Sequence, residues 1–197
     1  MRYDGAMTDR DMSQQTLILI FGHNASGKTT LAKKIVEQLD VSRVNGDDIR
    51  DFLISKIRYY ADAIYSYPSP KIRSANISVN VFRKVIIEEL LKQGESVLVD
   101  GAGITKERRR NRLIFAEALP EKAQTVIIEC VLSETELLDR LRERDKKSAK
   151  DKWVDFYKDI RKEQYDRVST DESDFVFHYD QKNGDEIISD LREILRR

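Results

Sequence analysis

Thr16-Leu17-Ile18-Leu19-Ile20-Phe21 runs without a break into Gly22-His23-Asn24-Ala25-Ser26-Gly27-Lys28-Thr29. The first six residues are apolar or β-branched, the composition of a strand buried on both faces. The next eight place glycines where a backbone must wrap around phosphate oxygens with its amides inward, because a Cβ would obstruct such conformations. Gly22 and Gly27 hold those places. Lys28 is set to reach along the loop to β and γ phosphates, and the Thr29 hydroxyl to join a magnesium shell. The helix expected from Thr30 to Leu39 aims its positive end at the same anion. Strand, glycine loop and helix in this order is the context the motif requires. The residues Gly22, His23, Asn24, Ala25, Ser26, Gly27, Lys28, Thr29 and Thr30 are therefore expected to hold a nucleoside triphosphate with Mg2+.

Outward from this unit, strand-like runs alternate with helical patterns, which is the signature of a parallel sheet covered by helices on both faces. Strands are expected at Thr16 to Phe21, Arg43 to Asn45, Ser96 to Asp100, Thr125 to Val131 and Phe175 to Tyr179. Helices are expected to begin near Lys28, Asp48, Arg73, Lys106, Ser133, Asp151 and Asp185. The fold class is α/β: a three-layer αβα sandwich with a five-stranded parallel sheet and a helical lid. One domain over 16–197 is expected, behind a disordered tail at 1–15 within which Met7 and Met12 are alternative starts. The stretch 56–73 breaks the rhythm, since Tyr59, Tyr60, Tyr65 and Tyr67 crowd together before Pro68 and Pro70 interrupt any helix. It reads as an insertion, either packed as a flap or stacking bases. The charge-dense stretch 140–152 reads as a solvated hairpin or a mobile lid.

Composition limits the partners. Among 197 residues, 35 basic and 35 acidic side chains cancel, so no overall field draws the chain to nucleic acid or an anionic membrane. Any basic site must be local. The longest apolar run, Leu17 to Phe21, is far short of the roughly 20 residues a membrane span needs. The N-terminus lacks the apolar core of a secretory signal. The single Cys130 excludes an internal disulfide, and two histidines offer no Cys/His metal cage. These features point to a cytoplasmic protein without membrane or obligate protein partner, and Cys130 to a buried core thiol.

Three segments decide what becomes of the triphosphate. In Asn45-Gly46-Asp47-Asp48-Ile49-Arg50, a carboxylate at a helix start can take the proton of an attacking hydroxyl, and an arginine one turn later can hold the acceptor. Asp47 is assigned as base and Arg50 as substrate clamp, against a plainer reading in which either aspartate caps the helix. In Val97-Leu98-Val99-Asp100-Gly101-Ala102-Gly103, a strand ends in a carboxylate at the crevice of an open sheet. Asp100 there binds Mg2+ through water, contacts the acceptor hydroxyl, or stabilises the turn. Arg140 and Arg144 are four apart on one helix face, so both can converge on polyphosphate.

These residues resemble P-loop kinases of the polynucleotide 5′-hydroxyl kinase and zeta-toxin type, the AAA_33-type group, over about Thr16 to Leu195. The resemblance comprises the Walker A loop at 22–29, Asp-Asp-x-Arg at 47–50, Val99-Asp100-Gly101-Ala102-Gly103-Ile104-Thr105-Lys106-Glu107-Arg108-Arg109, and Arg-x-x-x-Arg at 140–144. It implies an ATP-dependent kinase acting on a hydroxyl, with Lys28, Asp47, Arg140 and Arg144 catalytic, Asp47, Arg50 and Asp100 toward the acceptor, and ATP and Mg2+ as cofactors. The polynucleotide kinase pattern often has a basic residue before the first aspartate and Asn or Thr after the strand aspartate. Here Gly46 and Gly101-Ala102-Gly103 stand instead, which argues against an identical acceptor. The acceptor classes left open are a small metabolite, favoured by the neutral charge, a nucleic-acid end, favoured by the basic helix start Lys106 to Arg112, and a nucleotide sugar. A switch or motor ATPase is disfavoured, because no Asn-Lys-x-Asp element is present and Asp100 is followed by Gly101.

Overall fold

The computed structural model describes residues 15–60, 70–101, 103–119, 122–147, 153–162, 164–180 and 182–196, with the side chains of 70–76 and 160–161 left aside. The expectations at residues 1–14, Tyr65, Tyr67, Pro68, Ala102 and 148–152 lie outside the described residues.

Five strands, β1 (Thr16–Gly22), β2 (Ser42–Asn45), β3 (Val97–Asp100), β4 (Gln124–Cys130) and β5 (Phe175–His178), form one parallel sheet in the order β2-β3-β1-β4-β5. Alternation along β1 builds both cores. Ile18 and Ile20 pack with Leu31 and Ile35 of α1 (Lys28–Gln38) and with Ile187 and Leu191 of α7 (Gly184–Ile194). Leu17, Leu19 and Phe21 point the other way, against Ile87 and Leu91 of α3 (Pro70–Lys92) and Leu113 and Ala116 of α4 (Lys106–Glu117). The result is the three-layer αβα arrangement. Its consequence is that Gly22, Asn45, Asp100 and Cys130 all arrive at the carboxyl edge of the sheet, where open α/β folds place their ligands.

Capping side chains set several helix starts. Thr105 caps α4, Asn183 closes a capping box with Glu186 on α7, and Ser133 with Glu136 brackets the start of α5 (Glu134–Lys147). Two starts differ from the sequence expectation. The helix α2 (Gly46–Lys56) begins earlier because Asn45 Oδ1 accepts from the amides of Asp47 at 2.6 Å and Asp48 at 3.1 Å. Neither aspartate is the cap. Pro70 opens α3 rather than interrupting a helix, since a first-turn proline forfeits no intrahelical bond. Before α3, Tyr60 bonds Ser78 through its hydroxyl at 2.6 Å, while Tyr59 is 60% exposed.

The stretch after β4 forms a small unit of its own. Asp145 near the end of α5 accepts from the amides of Trp153 at 2.7 Å and Val154 at 3.2 Å, and so caps the short α6 (Trp153–Phe156). Leu137, Leu141 and Tyr157 pack around this cap and reach Ala25 in the glycine loop. No described helix is long and apolar enough to cross a membrane.

Candidate active site

The loop between β1 and α1 owes its path to two glycines. Gly22 has φ +148° and a Cβ there would sit 2.2 Å from the Cys130 carbonyl oxygen, so β4 leaves no space for any side chain. Gly27, at φ +96°, delivers the chain into α1. Ala25 accepts a left-handed φ of 65° between them, a conformation with a cost for a residue carrying a Cβ. Asn24, Ala25, Gly27, Lys28, Thr29 and Thr30 line a cavity of 1010 Å³. Gly22, His23 and Ser26 build the loop from behind: His23 stacks on Tyr165 at 4.4 Å and meets Tyr157 edge-on at 5.1 Å, and Ser26 is buried.

Lys28 Nζ donates to the His23 carbonyl, back along its own loop. Burial lowers its pKa, while Cys130, Asp100 and Asp47 act to raise it and Arg144 to lower it further. The ammonium is thus held in a partly dry pocket beside two carboxylates, poised for an anion that completes its coordination.

Every sequence-expected site residue toward the acceptor also faces this cavity. Asp47, Arg50 and Asp100 line it, as do Arg140 and Arg144. The Asn45 cap separates the two aspartates. Asp48 turns to Arg43 Nη1 at 2.9 Å, whereas Asp47 is 81% exposed and takes a hydrogen bond from Arg50 one turn on. The two residues expected as base and clamp are therefore paired with each other. Asp100 is 2% exposed; its Oδ2 accepts from Arg43 at 2.8 Å and from Asn45 at 2.9 Å. Both bonds run to β2 rather than to the turn after Asp100, so this carboxylate ties β3 to β2 at the edge of the cavity. From α5, Arg140 Nη1 donates to the Ala25 carbonyl at 3.4 Å, and the Arg144 guanidinium lies 4.3 Å from the Trp153 ring centroid. Cap, cation–π contact and loop contact together hold the paired arginines over the glycine loop.

Further groups went unseen in the sequence. The basic start of α4 is solvated at Lys106, Arg108 and Arg110 but not throughout: Arg109 is completely buried, forked onto Glu172 through Nε and Nη2 at 2.8 Å each and bonded to the carbonyls of Gly103, Asp166 and Arg167. Arg108 and Arg112 turn into the cavity, where Arg83 joins them from α3. Glu129, buried on β4, accepts from Tyr165 Oη at 2.9 Å and pairs with His178 Nδ1 at 2.7 Å, which anchors the aromatic seat beneath His23. The signal for the arginines was positional. Val79, Ile87 and Leu91 of α3 and Leu113 and Ala116 of α4 are buried, and Arg83 and Arg109 occupy the same helical stripes.

Among the described residues, eight cationic side chains and two carboxylates line the cavity, in a chain whose net charge is zero. Such a field suits polyphosphate. The Thr29 hydroxyl and the Asp100 carboxylate are the oxygens at hand for a hard cation. Among the described residues no group of three His, Cys, Asp or Glu could hold a metal, so a divalent ion bound here would have to draw most of its ligands from phosphate and water.

Solved structures share this architecture. A presumed kinase from Chloroflexus aurantiacus superposes with a TM-score of 0.69 at 19% identity over 94% of this chain and 98% of its own. The Mycobacterium tuberculosis APS kinase CysC, in complex with AMPPNP and APS, matches at 0.56 and 17% identity over 93% and 99%. In the Pnkp1/Rnl/Hen1 RNA repair complex the match is 0.58 at 19% identity over 80% of this chain, which spans 48% of that one. No curated protein sequence matches. The family model named AAA_33, described as an AAA domain, matches residues 17–170, from the first core strand through the loop that Arg109 pins; the chain, with its P-loop kinase fold, belongs to that family.

Proposed function

We propose that this protein is an ATP-dependent phosphotransferase that moves the γ-phosphate to a hydroxyl of an acceptor bound in the same cavity. The observation that carries this reading is the placement of an accessible carboxylate, Asp47, at the cavity that the glycine loop opens into, with Arg50 bonded to it and Arg83, Arg140 and Arg144 lining the same cavity. A nucleotide switch needs no such second half.

In this reading the loop amides and Lys28 hold the β and γ phosphates, and Arg140 and Arg144 close over them from α5. The Thr29 hydroxyl would help hold magnesium. Both described bonds to Asp100 end on Oδ2, so its carboxylate would still have Oδ1 to help hold magnesium. Magnesium supplies charge neutralisation on the phosphates. Arg50 exchanges its bond to Asp47 for the acceptor, and Asp47, released, accepts the hydroxyl proton as the oxygen attacks phosphorus. The AMPPNP held by a structural neighbour of the same fold supports adenine nucleotide as the donor.

The test is transfer of label from γ-labelled ATP to a panel of sugars, nucleosides, their phosphates and an oligonucleotide with a free 5′-hydroxyl. Asp47→Ala is expected to lower kcat by about 10²–10⁴ with the KM for ATP little changed. Undiminished transfer in that variant removes Asp47 as base, and ATP hydrolysis with no acceptor ever labelled favours an ATPase.

A further inference from the structure

The acceptor side of the cavity holds more positive charge than a neutral alcohol requires. Arg83 enters from α3, and Arg108 and Arg112 from α4. Arg112 Nη1 is buried without a hydrogen-bond partner among the described residues. Burial, with Arg83 and Arg108 nearby, pushes the Arg112 guanidinium down to about 9. Burial also lowers Arg83, with Arg50 acting in the same sense and Asp47 against it. A fold that crowds guanidiniums and leaves one guanidinium nitrogen buried without a partner stores an unfavourable arrangement that an incoming anion relieves.

The backbone makes room for these forks at three glycines. A Cβ on Gly46 would lie 3.2 Å from Arg83 Nη1, one on Gly103 3.0 Å from Arg112 Nη1, and one on Gly101 3.4 Å from the same atom. These are the positions at which the sequence departs from the polynucleotide kinase pattern. A side chain at Gly46 or Gly103 would crowd a guanidinium, and one at Gly101 would lie in contact with it. Cys130, Asp100, Asp47 and Arg144 act on Lys28, whereas Arg83 and Arg108 act on Arg112. Asp47 acts on both Lys28 and Arg83, and so stands between the halves.

We propose that Arg83, Arg108 and Arg112 form a receptor for a phosphate monoester carried by the acceptor itself, so that the substrate is a small hydroxylated phosphomonoester. The proposal rests on the phosphotransferase reading above. Guanidinium forks match the oxygens of a tetrahedral dianion, while a phosphodiester brings one charge and a neutral sugar none. Held by its phosphate, the acceptor presents a hydroxyl to Asp47. The hydroxyl oxygen bonds to the γ-phosphorus, and the bond from that phosphorus to the β–γ bridging oxygen breaks. ADP departs with the electron pair, and the proton passes to Asp47. The product carries two phosphate groups.

The experiment compares label transfer to matched acceptors with and without a phosphate monoester: a sugar with its sugar phosphate, a nucleoside with its monophosphate. An oligonucleotide with a free 5′-hydroxyl and only diester phosphates is a further arm. Binding of inorganic phosphate is measured in parallel, with the protein saturated by a non-hydrolysable ATP analogue. A monoester is expected to be preferred by about a hundredfold or more in kcat/KM. Arg112→Gln and, separately, Arg83→Gln should raise its KM by about ten- to a hundredfold, weaken phosphate binding in parallel and leave the KM for ATP unchanged. The use of two variants from different helices, each matched to wild type by thermal unfolding, separates lost binding from lost folding. Equal transfer to the member without phosphate, preference for the oligonucleotide, or an unaltered monoester KM in both variants overturns the proposal and spares the phosphotransferase reading. Phosphate bound through Arg83 and Arg112 with no acceptor labelled overturns that reading and keeps the anion receptor. Neither binding nor transfer overturns both.

Discussion

Arg109 offers the sharpest test of how the site is held together. Its guanidinium is 0% exposed and its partner Glu172 is 5% exposed, so both charges are cut off from water and rely on each other. Arg109→Met keeps most of the side-chain volume against Phe21, whose ring centroid lies 4.6 Å from the guanidinium carbon, and removes every donor. Among the described residues Glu172 then keeps as donors the Ser169 amide at 3.1 Å and hydroxyl at 3.3 Å, and the carbonyls of Gly103, Asp166 and Arg167 lose their guanidinium donor. Breaking a buried pair from one side costs about 3–5 kcal/mol, a large part of a typical domain's stability. For a chain of this size that is a fall in Tm of about 6–20 °C. Urea unfolding followed by circular dichroism measures it, and the double variant with Glu172→Gln should recover at least about 1 kcal/mol, since the orphaned charge is then gone. The pH dependence carries a second signature. Burial pushes the Glu172 carboxyl up, but the Arg109 bond and the Ser169 amide outweigh it and hold the group below the ordinary carboxylate range. A carboxylate held low in the folded state contributes stability that is fully present above its unfolded value of about 4.3 and is lost as pH falls through the folded value. The acid limb of the wild-type stability profile should therefore flatten in Arg109→Met. A loss below about 1 kcal/mol with an unchanged acid limb would refute the claim that this pair pins the loop.

Two further outcomes follow from the glycine loop and its neighbour. Gly22→Ala puts a Cβ 2.2 Å from the Cys130 carbonyl oxygen, so the loop must move; ATP-analogue affinity measured by calorimetry should fall more than about tenfold, and an unchanged affinity would show that the loop path is not what binds. Burial, partly offset by Lys28, pushes the Cys130 thiol up to about 12, so iodoacetamide at pH 8 should leave the folded protein unmodified and label it fully in urea, whereas rapid native labelling would contradict the packing of β4.

The parts legible in the sequence are those whose cause is local. The apolar run of β1, the glycines at 22 and 27 and the helix behind them declare themselves within 25 residues, because strand burial, phosphate wrapping and helix periodicity all act over short spans. Asp47 and Arg50 were legible for the same reason, one helical turn apart at a strand end. Reading Asp47 as a cap failed only because Asn45 lies closer to the turn and competes better for the same amides. Illegible residues take their meaning from partners far along the chain: Arg109 is explained by Glu172, 63 positions away, and Glu129 by Tyr165 and His178. A run as charged as Lys106 to Arg112 looks solvated when each residue is weighed by its own polarity. Placed on the helix, the run divides: Arg109 shares a stripe with Leu113 and Ala116, and Arg112 lies one turn after Arg109 on the side that reaches the cavity. The same holds for Arg83 between Val79 and Ile87. A cation in an otherwise apolar stripe has either a buried partner or a ligand to meet, since the interior will not hold it alone. Arg109 has found the partner in Glu172, and the unsatisfied Nη1 of Arg112 marks the other outcome.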